Sequence, residues 1–264
     1  MSGEGLGERI LRAHLRELPF HRAITRSIEA RILAEIEFPR PMLDIGSGDG
    51  HFASVAFPGG ADIGLDPSLS DSSEARRRGA YRLVVVGSSV ALPFSGGTFA
   101  SALSNCVLEH IPDLDTTLAE TARVLRPGGT FICTVIGESF NELSIPVKAW
   151  SRLGLSGLRR AYVEWFNRKA RHYHFDSPER WTARLQRAGF RVERWLYYAS
   201  PEASSVAHRS HYWSLPHLVS RKLTGRWVPF PRWTDRPFWV RRFLKYVEEE
   251  EPPLGSCIAF VCRR

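Results

Sequence analysis

No stretch of the chain strings together the roughly 18 apolar residues that a membrane-crossing helix requires. The N-terminus, MSGEGLGERILRAHLREL, carries charge throughout and has no apolar core of the kind a secretory signal needs, so a cytoplasmic location is expected. Cysteine is scarce, at four residues (Cys106, Cys133, Cys257 and Cys262), and none forms a Cys-x-x-Cys pair. No histidine cluster stands at metal-ligand spacing beside them. The expectation is therefore no disulfide framework and no metal site. Cys133, Cys257 and Cys262 fall in apolar stretches and read as small buried hydrophobes, whereas Cys106 follows a strand end. There is no internal repeat and no long low-complexity tract. No Gly-Lys-Ser/Thr is present, which excludes a P-loop.

What is present is an ordinary globular composition over 264 residues, 43% hydrophobic and 24% charged, enough for one large domain carrying insertions. We expect a single domain over 1–264, with N-terminal helices in 1–40, a cofactor-binding core in 41–136, and insertions at 137–176 and 201–250. The formal charge of +8 is unevenly spread: residues 148–172 carry +6 and residues 201–247 carry +7, which leaves the remainder at −5. All eight tryptophans lie beyond residue 149. The chain reads as a neutral-to-acidic body with two basic, aromatic-rich additions.

Two helices are expected over 9–18 and 21–37, broken at Pro19; in the second, Ile24, Ile28, Ile32 and Ile36 recur every fourth residue and give one apolar face. PMLDIG reads as a buried strand entering a Gly-rich turn and a short helix. ADIGLD reads as a second strand and residues 68–78 as a helix capped by Ser68 or Ser70. YRLVVVG reads as a third strand, continuously apolar, as strands covered on both faces are. TFASALSN is a fourth strand, LDTTLAETARVL a helix stopped by Pro127-Gly128-Gly129, and TFICTVI a fifth strand. Mixed helix follows over 142–171, a helix near 177–188, and strands near 190–198 and 256–262. Strand and helix alternating at short spacing imply a parallel sheet with helices on both faces.

The first strand leaves through Leu43-Asp44-Ile45-Gly46-Ser47-Gly48-Asp49-Gly50, and ligands of open α/β sheets bind at such strand ends. The spacing is not that of a dinucleotide fingerprint, since His51 stands where a third glycine would be needed. The second strand ends in Asp66, where a carboxylate can accept both ribose hydroxyl protons.

LDIGSGDG, IGLDPS, ALPFSGGTFASALSNCVLEHIPD and LAETARVLRPGGTFICTV, in that order, resemble the motifs of the class I S-adenosylmethionine-dependent methyltransferases, and most of all the small-molecule group that includes quinone and sugar methyltransferases. The resemblance covers 41–136 closely and 172–200 more loosely. It implies an α/β, Rossmann-like, doubly wound seven-stranded sheet, mostly parallel with an antiparallel last strand, with helical and aromatic-rich insertions forming a substrate cover. It implies S-adenosyl-L-methionine as cofactor. Asp44, Gly46, Ser47, Gly48 and Gly50 would hold its methionine part, Asp66 with Pro67 its ribose, and Leu92 its adenine, with Asn105 facing the methyl group. One departure stands out: many relatives have Gly-Asp-Ala where this chain has Gly87-Ser88-Ser89. The Ser88 hydroxyl would replace a carboxylate as acceptor for the adenine amino group.

Methyl transfer is an in-line displacement that needs orientation and a dry pocket. A base is needed only for an acceptor that must lose a proton. His110, His172, His174 and Glu109 are candidates, with His110 and His174 singled out as catalytic. The basic additions would hold an anionic or lipid-linked small-molecule acceptor, since guanidinium suits phosphate and carboxylate. RPFWVRRFLKYV (236–247) reads either as a peripheral membrane-surface helix or as a helix packed on the body. An RNA acceptor would rest on the pI of about 9.7 alone. The Asn-Pro-Pro-Tyr type motif of base-amino methyltransferases is absent at the fourth strand, where SNCVLEH stands. A cofactor-binding protein without turnover is the third reading. The oligomeric state is unread.

Overall fold

The computed structural model describes residues 4–212 and 215–264. Trp213, one of the tryptophans assigned above to the substrate cover, lies outside the described residues. Seven strands build one sheet: β1 (Met42–Ile45), β2 (Ala61–Asp66), β3 (Tyr81–Val86), β4 (Phe99–Asn105), β5 (Leu125–Ile136), β6 (Arg191–Tyr198) and β7 (Cys257–Arg263). Their order is β3-β2-β1-β4-β5-β7-β6. Pairs among β1 to β5 are parallel, and β7 runs antiparallel to both its neighbours. The order reverses between β1 and β4, so their carboxyl ends meet at the switch point where such sheets bind ligands.

The helices are α1 (Leu6–Glu17), α2 (Phe20–Leu33), α3 (His51–Ala56), α4 (Leu69–Arg78) and α5 (Leu114–Val124); then α6 (Ser139–Glu142), α7 (Ile145–Arg152) and α8 (Ser156–Ala170) after β5; α9 (Pro178–Arg187) before β6; and α10 (Pro201–Tyr212), α11 (Leu215–Thr224), α12 (Pro231–Thr234) and α13 (Pro237–Val247) between β6 and β7. Side chains alternate across each strand. Leu43 and Ile45 therefore join the core beneath α5 and α9, built from Leu118, Phe131, Trp181, Leu185 and Phe260. Met42 faces the other side with Leu33, Ala53 and Ala75. A further apolar cluster on β6 and β7 packs Leu196 and Ala259 against Leu11, Leu15, Ile24, Ala203, Val240 and Phe243, drawn from α1, α2, α10 and α13. Each fully buried Leu, Ile or Phe in these clusters contributes about 1.5–3 kcal/mol of transfer free energy.

Helix α13 uses its apolar stripe internally: Val240, Phe243, Tyr246 and Val247 are buried while Phe238 stays exposed. Among the described residues no helix is long and apolar enough to cross a membrane.

Three expectations are corrected. The apolar strand YRLVVV is not covered on both faces; it forms the sheet edge as β3, with Leu83 51% and Val86 47% exposed. Pro127-Gly128-Gly129 does not stand between helix and strand. It lies within β5, which begins at Leu125, with Gly128 in the left-handed region (φ 75°) and its N–H donating to the Arg264 carbonyl. Finally, α2 stops at Leu33, short of 37, where Glu35 and Ile36 donate instead to carbonyls three residues back. All four cysteines are free, with Cys133, Cys257 and Cys262 buried.

Candidate functional site

From β1 the chain turns through Gly46, Ser47, Gly48, Asp49 and Gly50 into α3. All three glycines have positive φ, at 80°, 53° and 74°, a region that costs a side-chain-bearing residue about 1–2 kcal/mol. Gly46 and Gly50 are required by space as well. A Cβ on Gly46 would lie 2.5 Å from Val107, and one on Gly50 would lie 3.0 Å from the Ala75 backbone. Gly48 faces open space, with nothing within 4 Å of where a Cβ would stand.

The loop is tied to the end of β2. The Gly46 and Ser47 amides both donate to the Leu65 carbonyl, at 2.8 and 3.0 Å. The Gly48 amide donates to Asp66 Oδ2 at 2.9 Å, and the Ser68 amide donates to Asp66 Oδ1 at 2.8 Å. Asp66 thus bridges the glycine loop and the cap of α4. Each of its oxygens has used one lone pair and keeps another, which is what two vicinal hydroxyls would need. Exposed Pro67 follows it, and Ser68 Oγ caps α4 by accepting from the Asp71 amide. The Gly87 amide donates to the Asp66 carbonyl at 3.1 Å, which brings exposed Ser88 alongside.

Asp44 lies beneath the loop, 4% exposed, and accepts a 2.6 Å hydrogen bond from the Tyr81 hydroxyl. Burial pushes its carboxyl up to about 6, and the Tyr81 bond works against the rise. Buried Ser47 Oγ has no hydrogen-bond partner among the described residues. An open cradle at Gly48, an unmatched buried hydroxyl at Ser47 and an acceptor carboxylate at Asp66 fit an amino-acid-bearing nucleoside such as S-adenosylmethionine.

Leu92 and Asn105, the two further residues expected near the cofactor, are both buried. Leu92 is 4% exposed in the main core, its amide donating to Glu120 at 2.8 Å. Asn105 is also buried. Its amide nitrogen donates to Glu29 Oε2 at 2.9 Å, and its amide oxygen accepts from the Thr134 hydroxyl at 2.8 Å. These bonds fix it at the carboxyl end of β4.

That strand end lies under α2, in a polar cluster that the sequence reading missed. Glu29, fully buried, accepts from Arg26 at 2.6 Å, from the Tyr198 hydroxyl at 3.1 Å and from the Cys106 thiol at 3.1 Å. Burial works against the Arg26 charge, but the Glu29 carboxylate more than offsets it and holds Arg26 protonated. Burial, followed by Glu29, pushes the Cys106 thiol up, so it serves as a donor. Cys106 also adopts φ 52°, the left-handed region, and directs the chain into the 3-10 turn Leu108–His110. The missed signal was Arg22, Arg26 and Glu29 at helical spacing, a polar stripe beside the isoleucine stripe.

The turn carries Glu109 and His110. Glu109 is 1% exposed, burial pushes it up to about 8, and its Oε2 has no partner among the described residues. Its backbone carbonyl accepts from the amides of Tyr173 and His174, which clasps the segment after α8 onto the turn. His110 Nδ1 lies 3.2 Å from the Arg171 carbonyl. A carbonyl only accepts, so Nδ1 carries the proton and Nε2 keeps its lone pair in the neutral ring. Burial lowers the His110 pKa, and the Arg171 bond opposes this. His174 Nε2 donates to the Ile111 carbonyl at 3.0 Å, and its ring packs edge-on to Trp181. His172 and His174 therefore go to different partners. From His110 a wall of rings extends over the strand ends: His172 at 5.0 Å, then Phe140 at 5.6 Å from His172, and His208 at 5.7 Å from Phe140. A separate cleft of about 430 Å³, lined by Arg31, Glu35, Arg194 and Glu249 among others, contains no glycine-loop residue. Among the described residues no group of His, Cys, Asp and Glu is placed to hold a metal.

Residues 13–194 match a family model described as a methyltransferase domain. The chain is 31% identical over 126 residues to a malonyl-[acyl-carrier protein] O-methyltransferase of Xylella fastidiosa (strain M23), covering 43% of this chain and 42% of the relative. It is 30% identical over 142 residues to a demethylmenaquinone methyltransferase of Symbiobacterium thermophilum, covering 49% and 54%. The matched stretches thus span about half the length of these relatives. Among solved structures, a geranyl diphosphate C-methyltransferase from Streptomyces coelicolor A3(2) superposes with a TM-score of 0.57 at 13% identity, covering 93% of this chain and 82% of that one. An S-adenosylmethionine-dependent methyltransferase of Thermotoga maritima superposes with a TM-score of 0.55 at 20% identity, covering 92% and 90%. At these identities the likeness is one of fold.

Proposed function

The chain belongs to the class I S-adenosylmethionine-dependent methyltransferase family, and on that premise we propose that it transfers a methyl group from S-adenosylmethionine to a small-molecule acceptor held beneath α2, α8 and α10. The observation that carries this reading is the Asp66 carboxylate, fixed by two backbone amides between the glycine loop and α4 with one lone pair free on each oxygen. When bound, the cofactor supplies an electrophilic methyl group. The chain supplies orientation and exclusion of water. Gly48 and Ser47 take the amino-acid end, Asp66 takes the ribose, and Ser88 stands where an adenine amino group needs an acceptor.

The acceptor side is the wall from His110 to His208. Where the acceptor is a hydroxyl, the proton goes to His110 Nε2. The Arg171 carbonyl fixes that ring, and its lowered pKa keeps it neutral near pH 7. His174, bonded to the Ile111 carbonyl, is a positioning residue.

The test is formation of S-adenosylhomocysteine with a panel of hydroxyl, amine and carboxylate acceptors. With a hydroxyl acceptor, His110→Gln should lower turnover by about 10²–10⁴-fold, and His174→Gln should act mainly on stability. Tight cofactor binding with no turnover on any acceptor class would favour a binding protein that does no chemistry.

A further inference from the structure

Beyond His208 the wall continues to α2 and α11, where the charge changes character. His211 approaches His21 at 3.4 Å, with ring centroids 4.7 Å apart. Next to His21, the Arg22 guanidinium lies 5.6 Å from the centre of the Trp227 ring, and Arg221 of α11 lies 4.3 Å from the same centre. Two like charges share one indole. Other arginines of α1, α2 and α4 are matched with acids: Arg16 with Asp235, Arg26 with Glu29, Arg78 with Glu17. Neither the Arg22 nor the Arg221 side chain has a hydrogen-bond or ion-pair partner among the described residues. The acids felt by Arg22 are Asp49 of the glycine loop and Glu29, and Glu29 is already bonded to Arg26, Asn105, Cys106 and Tyr198.

Burial, then repulsion from Arg26, lowers Arg22 to about 10. Burial, then His211, holds His21 near 3 and His208 near 4. The largely buried Arg22 guanidinium, with no acid bonded to it directly, is unfavourable by itself, and a bound anion relieves it. The planar fork of arginine matches carboxylate or phosphate oxygens, and an indole offers a flat platform between two such forks.

We infer that the place between α2 and α11 where Arg22 and Arg221 meet the Trp227 ring is an anion subsite, in which the two guanidiniums hold a carboxylate or phosphate borne by the acceptor, with Trp227 setting their separation. Only the word acceptor rests on the methyl-transfer reading; the anion site rests on these residues alone. It ties substrate choice to α11 and the segment after it, which lie outside the cofactor-binding core.

The experiment uses the full chain and two calorimetric titrations. One is with S-adenosylhomocysteine, which carries the carboxylate of the cofactor side. The other, on protein saturated with that compound, is with inorganic phosphate and then malonate. Wild type should bind at least one of these anions, and whichever of the two it prefers gives the class of the acceptor's group. Arg221→Gln, an exposed position, and Arg22→Gln should each weaken anion binding by at least about tenfold, the loss expected for a charged hydrogen bond. Both should leave S-adenosylhomocysteine affinity within about twofold. No anion binding by wild type, or binding unchanged in both variants, overturns the site. So does an Arg22→Gln variant that loses S-adenosylhomocysteine but keeps phosphate and malonate, because that guanidinium would then serve the cofactor. Failure of S-adenosylhomocysteine to bind wild type counts against the cofactor reading, and the anion titration is then run on the unloaded protein.

Discussion

Asp44 and Tyr81 make a buried pair whose worth can be measured. Tyr81→Phe removes the 2.6 Å donor and leaves a buried carboxyl without it. The cost should be about 1–3 kcal/mol in urea unfolding. A loss below a few tenths would mean that the bond does not hold the carboxyl in place. Glu109 carries the opposite signature. Its folded pKa of about 8 lies above the unfolded value near 4.3. Between these limits the folded state retains a proton that the unfolded state has released. The stability this gives is complete below about pH 4 and is lost as the pH rises through 8. Glu109→Gln abolishes that loss. Its thermal midpoint should exceed that of wild type at pH 8 and converge with it near pH 4, and parallel profiles would contradict the placement of this side chain. Glu109 shows what can be read from a sequence and what cannot. Its position after a strand end made it a candidate proton acceptor, but nothing in LEHIPD states that its carboxyl is buried with one oxygen unmatched among the described residues.

Among the elements, the glycine loop makes a paired prediction. Gly48→Ala places a methyl group in open space at φ 53°, so stability should fall by no more than about 1–2 kcal/mol while S-adenosylhomocysteine binding weakens. Gly50→Ala adds contact with the Ala75 backbone at 3.0 Å and should lose more stability than Gly48→Ala by thermal denaturation. Equal losses would show that the loop has no such asymmetry. This loop was legible because glycine spacing and the acid at the end of β2 are local. The element errors have a different origin. The apolar run of β3 looks like that of a covered strand, yet strand order decides which run becomes an edge, and order is a long-range property. Pro127-Gly128-Gly129 carries a turn signal, but the Arg264 carbonyl, which accepts from Gly128, draws the segment into the sheet. Arg22, Arg26 and Glu29 were hidden for a similar reason: a polar stripe on a helix ordinarily faces solvent, and only docking of α2 at the ends of β4 and β6 turns it inward.

At the scale of the whole molecule, a sheet core supports a cover of uneven stability. All four residues of β1 are buried, and α2 buries seven residues. By contrast, α8 buries only Asn167, and α11 exposes Leu218, Val219 and Leu223. Native-state hydrogen exchange should therefore find α8 and α11 opening at lower free energy than α2 or the central strands. Equal protection across all of them would contradict a cover that opens separately. Because α11 brings Arg221 and α8 brings Phe166 against Phe140 and His172, acceptor binding should slow exchange in both helices. Cofactor binding should slow it chiefly at the glycine loop.

The central claim is that Asp66 and the glycine loop form a nucleoside site. Calorimetric titration of wild type and Asp66→Ala with S-adenosylmethionine, with thermal midpoints confirming that both are folded, tests it most directly. Losing a charge-assisted contact to the ribose should cost about 2–3 kcal/mol, or roughly 30- to 150-fold in affinity. Binding by wild type that falls by that factor in the folded variant is the predicted result. Equal affinity in the two proteins, or no binding by wild type, would contradict it.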